Sequence, residues 1–189
     1  KLISFIVVCI SFFTFHILTP TAMAADETQN TVVAQAPIFT PGDTWVWSED
    51  SKNGKLRRET FENPDGENLV FRMGMVKTPN NRIRIRTKEM NLINDVKGDG
   101  KEVAVNNPHS GFLSFPLFIG KKWEHKYASQ GVSGTINRHS EYKVDAYEKV
   151  TTPAGTFDAF YIKGYDQRED KPYGVIVKFW YAPQVRNIV

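Results

Sequence analysis

Cysteine is almost absent from this sequence, since Cys9 is the only one among 189 residues. Cys9 lies in an N-terminal apolar segment, so the chain that follows it contains no thiol. That chain therefore forms no disulfide, binds no metal through thiolates and uses no cysteine nucleophile. A chain of this length buries roughly 70% of its unfolded surface and folds without such a staple.

Histidine is scarce too, with three residues after the N-terminal segment: His109, His125 and His139. None belongs to a His-x-x-x-His or His-Glu-x-x-His pattern of the kind that holds zinc. A hairpin would let His125 and His139 face each other, but no carboxylate pattern accompanies them. Glycine-rich phosphate loops are missing, and Gly131-Val-Ser133-Gly134 lacks the full nucleophile motif and its helix. We therefore predict no catalytic residue, no metal site and no cofactor.

A strong excess of one charge is also missing, because 24 basic residues stand against 21 acidic ones. The formal net charge of +3 argues against a dedicated nucleic-acid-binding protein. A pair of carboxylates could still serve glycoside hydrolysis, but the separation that defines such a pair exists only in the folded chain. A hydrolase with an unrecognised site therefore stays open as an alternative.

The one long hydrophobic run is Leu2–Leu18. It follows the positive charge of Lys1 and precedes Ala22-Met23-Ala24, a small-x-small cleavage pattern. The run is at the lower limit for crossing a bilayer. We predict a cleaved signal peptide at residues 1–24, with no membrane span after cleavage. Bulky residues precede Cys9, so we do not expect a lipoprotein.

The rest of the chain is typical of a β protein. Arg82-Ile-Arg-Ile-Arg86 alternates strictly, as in a half-buried antiparallel strand. In the run from Glu141 to Val150, the alternation places Tyr142, Val144 and Ala146 on one face. Turn residues such as Asn53-Gly54 separate the runs. The runs typical of strands are 44–47, 58–63, 69–76, 82–86, 123–127, 135–140, 141–150, 157–164 and 174–181.

These runs predict an all-β, mainly antiparallel fold, either a half-barrel, a barrel or a sandwich. We assign residues 25–38 to a flexible leader and residues 39–189 to a single antiparallel domain. Short helices at 87–96 or 106–118 remain open.

A weak internal repeat divides the domain into two similar halves, 39–111 and 112–189. Its skeleton is an apolar residue, then Gly and Trp at three-residue intervals. The first copy ends in Gly42 and Trp45, and the second, 78 positions later, ends in Gly120 and Trp123. Each glycine would make a turn before a strand that starts with a large aromatic anchor.

Two groups of side chains are candidates for ligand binding. Three arginines project from one side of a strand and would hold phosphates or carboxylates; they are Arg82, Arg84 and Arg86. The alternative, which we favour, is a solvated face or an edge strand protected by charge. Four tryptophans would line an apolar cavity, stack on sugars or form the core; they are Trp45, Trp47, Trp123 and Trp180.

The second half resembles a known family. Its blocks are Phe115-Pro-Leu-Phe-Ile-Gly-Lys-Lys-Trp123, then Val150-Thr-Thr-Pro-Ala-Gly-Thr-Phe-Asp-Ala-Phe160, then Phe179-Trp-Tyr-Ala-Pro-Gln-Val185. In order and spacing these resemble the TapB-like family of exported Gram-negative bacterial β proteins, whose domain has no assigned function. The similarity covers about residues 112–189. In the family a glycine usually follows the last valine, whereas Arg186 stands here.

The resemblance implies a periplasmic β fold, similar to the open half-barrels of lipoprotein carriers, and no activity. It implies turn roles for Gly120 and Gly155 and core roles for Trp123, Phe157 and Trp180. Aromatic-rich alternation without a catalytic constellation leads us to expect a non-enzymatic periplasmic protein that binds a lipid or another amphipathic ligand in a β concavity. A carbohydrate-binding module with exposed aromatic rings is one alternative, and a periplasmic protein partner is another.

Overall fold

The computed structural model describes residues 31–49, 55–76 and 82–189. The predicted signal peptide and the predicted turn at 53–54 lie outside these residues. Within them the chain is all-β and contains no helix, so no helical segment there is long and apolar enough to cross a membrane. The all-β prediction is therefore confirmed, and the helices left open at 87–96 and 106–118 do not form.

In the described part of the chain, eleven strands make one antiparallel sheet in which every strand pairs with the next, and the sheet forms a half-barrel. This arrangement decides among the three predicted architectures. The strands are β1 Thr44–Glu49, β2 Lys55–Asp65, β3 Asn68–Met75, β4 Arg82–Arg86, β5 Leu92–Lys97, β6 Glu102–Asn107, β7 Lys122–Gly131, β8 Gly134–Thr152, β9 Gly155–Arg168, β10 Gly174–Ala182 and β11 Asn187–Ile188.

Strand β8 is one continuous strand of 19 residues, where the sequence predicts two adjoining runs, 135–140 and 141–150. A register shift between Val144 and Ala146 interrupts its pairing with β9. Such a bulge reverses the side-chain alternation beyond it. Tyr142 and Val144 share one face as predicted, and both are buried, but Tyr147 replaces Ala146 on this inner face and packs against Phe160, with 4.7 Å between the ring centroids.

The first and last strands approach each other through side chains. The indole N–H of Trp45 donates to the carbonyl of Val185 at 2.7 Å, and that of Trp47 donates to the carbonyl of Ile188 at 3.3 Å. Arg186 adds an ion pair with Asp43 at 2.7 Å. These contacts join the two edges of the sheet without strand pairing.

The core lies on the inner face of the sheet and is rich in aromatic rings. Phe61 and Phe71 pack at 5.3 Å between centroids, and Phe39 contacts both. Farther along the sheet the buried members are Val144, Phe160, Ile162, Phe179 and Tyr181. The described part of the predicted leader is held against this core, because Ala34 is buried and exchanges two backbone hydrogen bonds with Leu117.

The repeat seen in the sequence has a structural counterpart. Gly42 and Gly120 have φ of +97° and +89°, which L side chains rarely adopt. The Gly42 N–H donates to the carbonyl of Phe61, and the Gly120 N–H donates in the same way to that of Val144. Each glycine therefore makes the same turn before a strand that carries a tryptophan.

Candidate functional site

The arginines of β4 lie on the inner face of the sheet. The interpretation that we favoured from the sequence, a solvated face or an edge strand, is wrong on both counts: β4 lies between β3 and β5, and Arg86 is only 9% exposed. The cause is a pair of acids on nearby strands, Glu59 of β2 and Asp95 of β5, which are 1% and 2% exposed. Carboxylates inside the fold offset the free-energy cost of burying guanidinium groups.

Arg86 is the innermost of the three and is bound by Glu59. Its two terminal nitrogens donate to the two carboxylate oxygens at 3.0 and 2.6 Å. The guanidinium also lies 4.7 Å from the ring centroid of Phe71, within the range of a cation–π contact. The charge of Arg86 is thus matched by one carboxylate of its own.

Arg82 and Arg84 share a single carboxylate. Both donate through Nε to Asp95, and for Arg84 the distance is 3.1 Å. Burial, and next the positive charge of Arg86, hold the pKa of Arg84 below its ordinary value. Arginine still remains charged at neutral pH, because its ordinary pKa is above 12. Two guanidinium groups therefore face one carboxylate, which leaves one positive charge in excess.

Beside these arginines lie two adjoining cavities, which we call the inner groove. One measures about 300 Å³ and the other about 190 Å³. Four residues line both cavities: Arg84, Arg86, Asn187 and Ile188. The larger cavity adds Trp47, Arg57, Glu59 and Met73, and the smaller adds Met90, Leu92, Ser110, Phe112, Leu113 and Tyr181. The wall common to both is thus mostly polar, and both cavities also have apolar walls.

Asn187 of β11 has an unused donor in this wall. The residue is 5% exposed. Its side-chain oxygen accepts from the Ile188 N–H at 2.9 Å, but its buried Nδ2 finds no acceptor among the described residues. A buried donor without an acceptor costs about 1–3 kcal/mol. An oxygen atom of a bound molecule in the inner groove would supply the missing acceptor.

The four predicted tryptophans do not form one site. Trp45 belongs to the core, and only Trp47 lines the inner groove. Trp123 stacks on Tyr142 at 5.2 Å and donates to the carbonyl of Gly111. Trp180 stacks on Tyr161 at 5.0 Å and donates to Glu148. None of the four is fully exposed, and every indole N–H has an acceptor within the chain.

His125 and His139, which a hairpin would have let face each other, lie on opposite faces of the sheet. The cross-strand partner of His125 is Ser140, and that of His139 is Lys126. His125 stacks on His109 with 4.4 Å between the ring centroids, and burial lowers the pKa of His109. His139 instead joins Glu124 and Glu141, and the ligating atoms of these three lie within 4.8 Å of one another. Exposed carboxylates commonly cluster without a metal, and we assign none here.

A serine on the inner face bears on the hydrolase alternative. Ser140 is fully buried, and its hydroxyl donates to Asp166 at 2.8 Å. Arg138 also binds this carboxylate. A serine nucleophile needs an exposed hydroxyl next to a base. The arrangement therefore gives the hydrolase alternative no support.

The residues that complete the inner groove were not among the sequence-derived candidates. Glu59 could have been recognised from the sequence, because it stands at an inward position between Arg57 and Phe61. A carboxylate at such a position needs a buried cation as its partner. Asn187 could not have been recognised in this way, since its role depends on how the short β11 pairs with β10.

Comparison of the chain with protein-family models, with curated proteins and with solved structures gave no match. The resemblance to the TapB-like family stays a prediction based on the three blocks quoted above.

Proposed function

We propose that this chain is an exported, non-enzymatic periplasmic protein that binds an apolar or amphipathic small molecule in the inner groove. The observation that carries this proposal is the wall common to the two cavities, where the guanidinium groups of Arg84 and Arg86 lie beside the apolar side chains of the remaining walls. Ligand pockets are typically apolar with a few convergent polar groups. The larger cavity, at about 300 Å³, is at the lower end of the usual size range.

The apolar walls would supply most of the affinity. Each methylene group moved from water into such a wall contributes about 0.8 kcal/mol. Leu92, Phe112 and Tyr181 line the smaller cavity, and Met73 and Trp47 line the larger. A ligand with a hydrocarbon portion would gain from both sets of contacts. The carbohydrate-binding alternative has less support, since the indole rings are half-buried or buried and their N–H groups are already used.

The test is calorimetric titration of the purified chain, from residue 25 onward, with 1-decanol and undecanoate, each below its solubility limit and critical micelle concentration. We expect saturable binding of at least one of them. A Leu92→Trp variant fills part of the smaller cavity and should weaken binding about tenfold. The matched control is Leu56→Trp, because Leu56 is 42% exposed. Absence of binding to both probes in the folded wild-type chain would exclude the proposal.

A further inference from the structure

The inner groove has a feature that an apolar ligand alone does not explain. Asp95 neutralises only one of the two guanidinium groups it contacts, since Arg82 and Arg84 both donate to it. Glu59 is already occupied by Arg86. A positive charge in a partly buried cleft attracts an anion more strongly than it would in water, because the effective dielectric constant is lower.

The unpartnered amide of Asn187 lies in the wall that also holds Arg84. Two different kinds of donor, a guanidinium and a carboxamide, thus line the same space. Asn187 Nδ2 is buried and has no acceptor among the described residues. Both donors fit one chemical group, an oxyanion, which accepts several hydrogen bonds at once.

The remaining walls define where the rest of such a ligand would lie. In the smaller cavity, Met90, Leu92 and Phe112 contribute apolar surface beside Arg84 and Asn187. A molecule with an oxyanion at one end and a hydrocarbon portion at the other would match this order of side chains. A cationic head group would instead meet an excess of positive charge.

We propose that the inner groove selects amphipathic anions, and that Arg84 and Asn187 bind the carboxylate or phosphate head group while the apolar walls hold the hydrocarbon portion. This inference rests on the proposed function and adds the charge and the orientation of the ligand. Arg86 and Glu59 form the floor beneath the head group. Arg84 contacts the ligand and confers the selectivity for charge.

Four probes with the same decyl chain test the inference, because the chain contribution cancels among them. They are undecanoate, decyl phosphate, 1-decanol and decyltrimethylammonium, titrated calorimetrically at pH 7 and low salt below their solubility limits and critical micelle concentrations. Hydrogen bonds to charged groups contribute about 1.5–3 kcal/mol, which corresponds to an affinity advantage of roughly 10–100-fold for the anions over decanol. The cation should bind more weakly than decanol. The ratio of the two anion affinities identifies the preferred head group.

Variants locate this selectivity. Arg84→Gln should lower the affinity for both anions about tenfold and lower the affinity for decanol less, so that the preference for anions over decanol falls. Asn187→Leu should act in the same direction and more weakly. The matched control is Arg72→Gln: Arg72 is 48% exposed and pairs with Glu62, so the same charge is lost outside the groove. Arg72→Gln should leave all four affinities within twofold.

The outcomes separate the two proposals. Binding of decanol and decyltrimethylammonium as tight as that of undecanoate would overturn the selection for anions and leave the binding function intact. Binding of none of the four would overturn both. If Arg84→Gln fails to fold, which circular dichroism would reveal, the four probes on the wild-type chain still decide the question.

Discussion

Glu59 and Arg86 form a bidentate ion pair inside the sheet, although they lie on strands that are not neighbours. Between β2 and β4 runs β3, whose Phe71 ring lies beneath the guanidinium group. The pair therefore bridges three strands on the inner face. It also supplies the polar floor of the inner groove, so stability and the proposed binding depend on the same two side chains.

Replacing Glu59 with Gln should strongly destabilise the fold. The substitution leaves the guanidinium of Arg86 buried without a counter-charge, and breaking a buried pair in this way costs about 3–5 kcal/mol. Urea denaturation followed by tryptophan fluorescence measures the change. The double variant Glu59→Gln with Arg86→Met should recover part of the loss, because no charge is then left buried.

Glu62→Gln is the matched control for this prediction. Glu62 pairs with Arg72 at the surface, where the side chains are 31% and 48% exposed. Exposed pairs of this kind contribute about 0–1 kcal/mol. Equal losses for Glu59→Gln and Glu62→Gln would mean that the buried pair has no special role.

The class of fold could be predicted from the sequence because its signal is local. Alternation with a period of two depends only on neighbouring residues, and the alternating run Arg82–Arg86 is a strand with those same bounds. The turn glycines Gly42 and Gly120 were likewise recognisable from their spacing to a tryptophan. A bulge depends on pairing with another strand, so the alternation could not predict that Tyr147, and not Ala146, lies on the inner face of β8.

The inner groove could not be predicted because it depends on long-range register. Glu59 and Arg86 are 27 positions apart in sequence, and Asp95 reaches Arg84 only because β4 and β5 pair with these two residues opposite each other. A shift of one residue in that register would turn Asp95 to the other face. The alternation of β4 alone shows that its arginines share a face and leaves open which face is inside.

Arg186 adopts a backbone conformation that favours glycine, with φ of +60°. The resemblance drawn from the sequence predicts a glycine at this position. Its side chain offsets the cost through contacts with Asp43 at 2.7 Å, with the carbonyl of Ile38 and with the ring of Phe39. Arg186→Ala should lower the free energy of unfolding by about 1–2 kcal/mol, since it loses these contacts and keeps the strain.

Arg186→Gly separates the two contributions. It loses the same contacts but relieves the backbone, so it should be about 1 kcal/mol more stable than Arg186→Ala. Urea denaturation of the two variants at pH 7 measures the difference. Equal stability of the alanine and glycine variants would show that the backbone at this position is not strained.

The ion pair of Asp43 makes part of this stability depend on pH. The hydrogen bond from Arg186, and next that from the Thr40 backbone N–H, hold the pKa of Asp43 below its ordinary value. The folded pKa is thus below the unfolded one, so the stabilisation is present above about pH 4 and is lost as pH falls through the folded pKa. Asp43→Asn should therefore destabilise the chain at pH 7 and have a smaller effect at pH 2–3. An equal effect at both pH values would contradict the assignment.

A row of like charges on the outer face of the sheet should limit stability. Four exposed lysines stand opposite one another across four strands, in the order Lys122, Lys143, Lys163 and Lys178. Of these, Lys143 has a partner in Asp145 at 2.6 Å. Like charges directly opposite destabilise a sheet by a few tenths to about 1 kcal/mol per pair. Lys163→Glu should accordingly raise the free energy of unfolding by about 0.5–1 kcal/mol.

The dependence on salt identifies the cause of that gain. Because the lysines are exposed, 1 M NaCl should screen the row and remove most of the difference between Lys163→Glu and the wild type. Lys163→Gln should give a smaller gain. Lys101→Gln, in the turn between β5 and β6, removes the same charge outside the row and should change stability by less than about 0.5 kcal/mol. A gain that persists at 1 M NaCl would rule out charge repulsion.

Two buried phenols should make the fold sensitive to alkaline pH. Burial raises the pKa of Tyr142 and that of Tyr181 to about 12. An unfolded phenol has a pKa of about 10, so between pH 10 and 12 the unfolded chain releases protons that the native chain retains. The native state then binds more protons than the unfolded state, and stability falls as pH rises.

Tyr142→Phe should reduce this dependence of stability on pH and remove one phenol from the late phase of a 295 nm absorbance titration. Tyr173→Phe is the matched control, because Tyr173 is 67% exposed; if both variants reduce the late phase equally, burial of Tyr142 is not the cause.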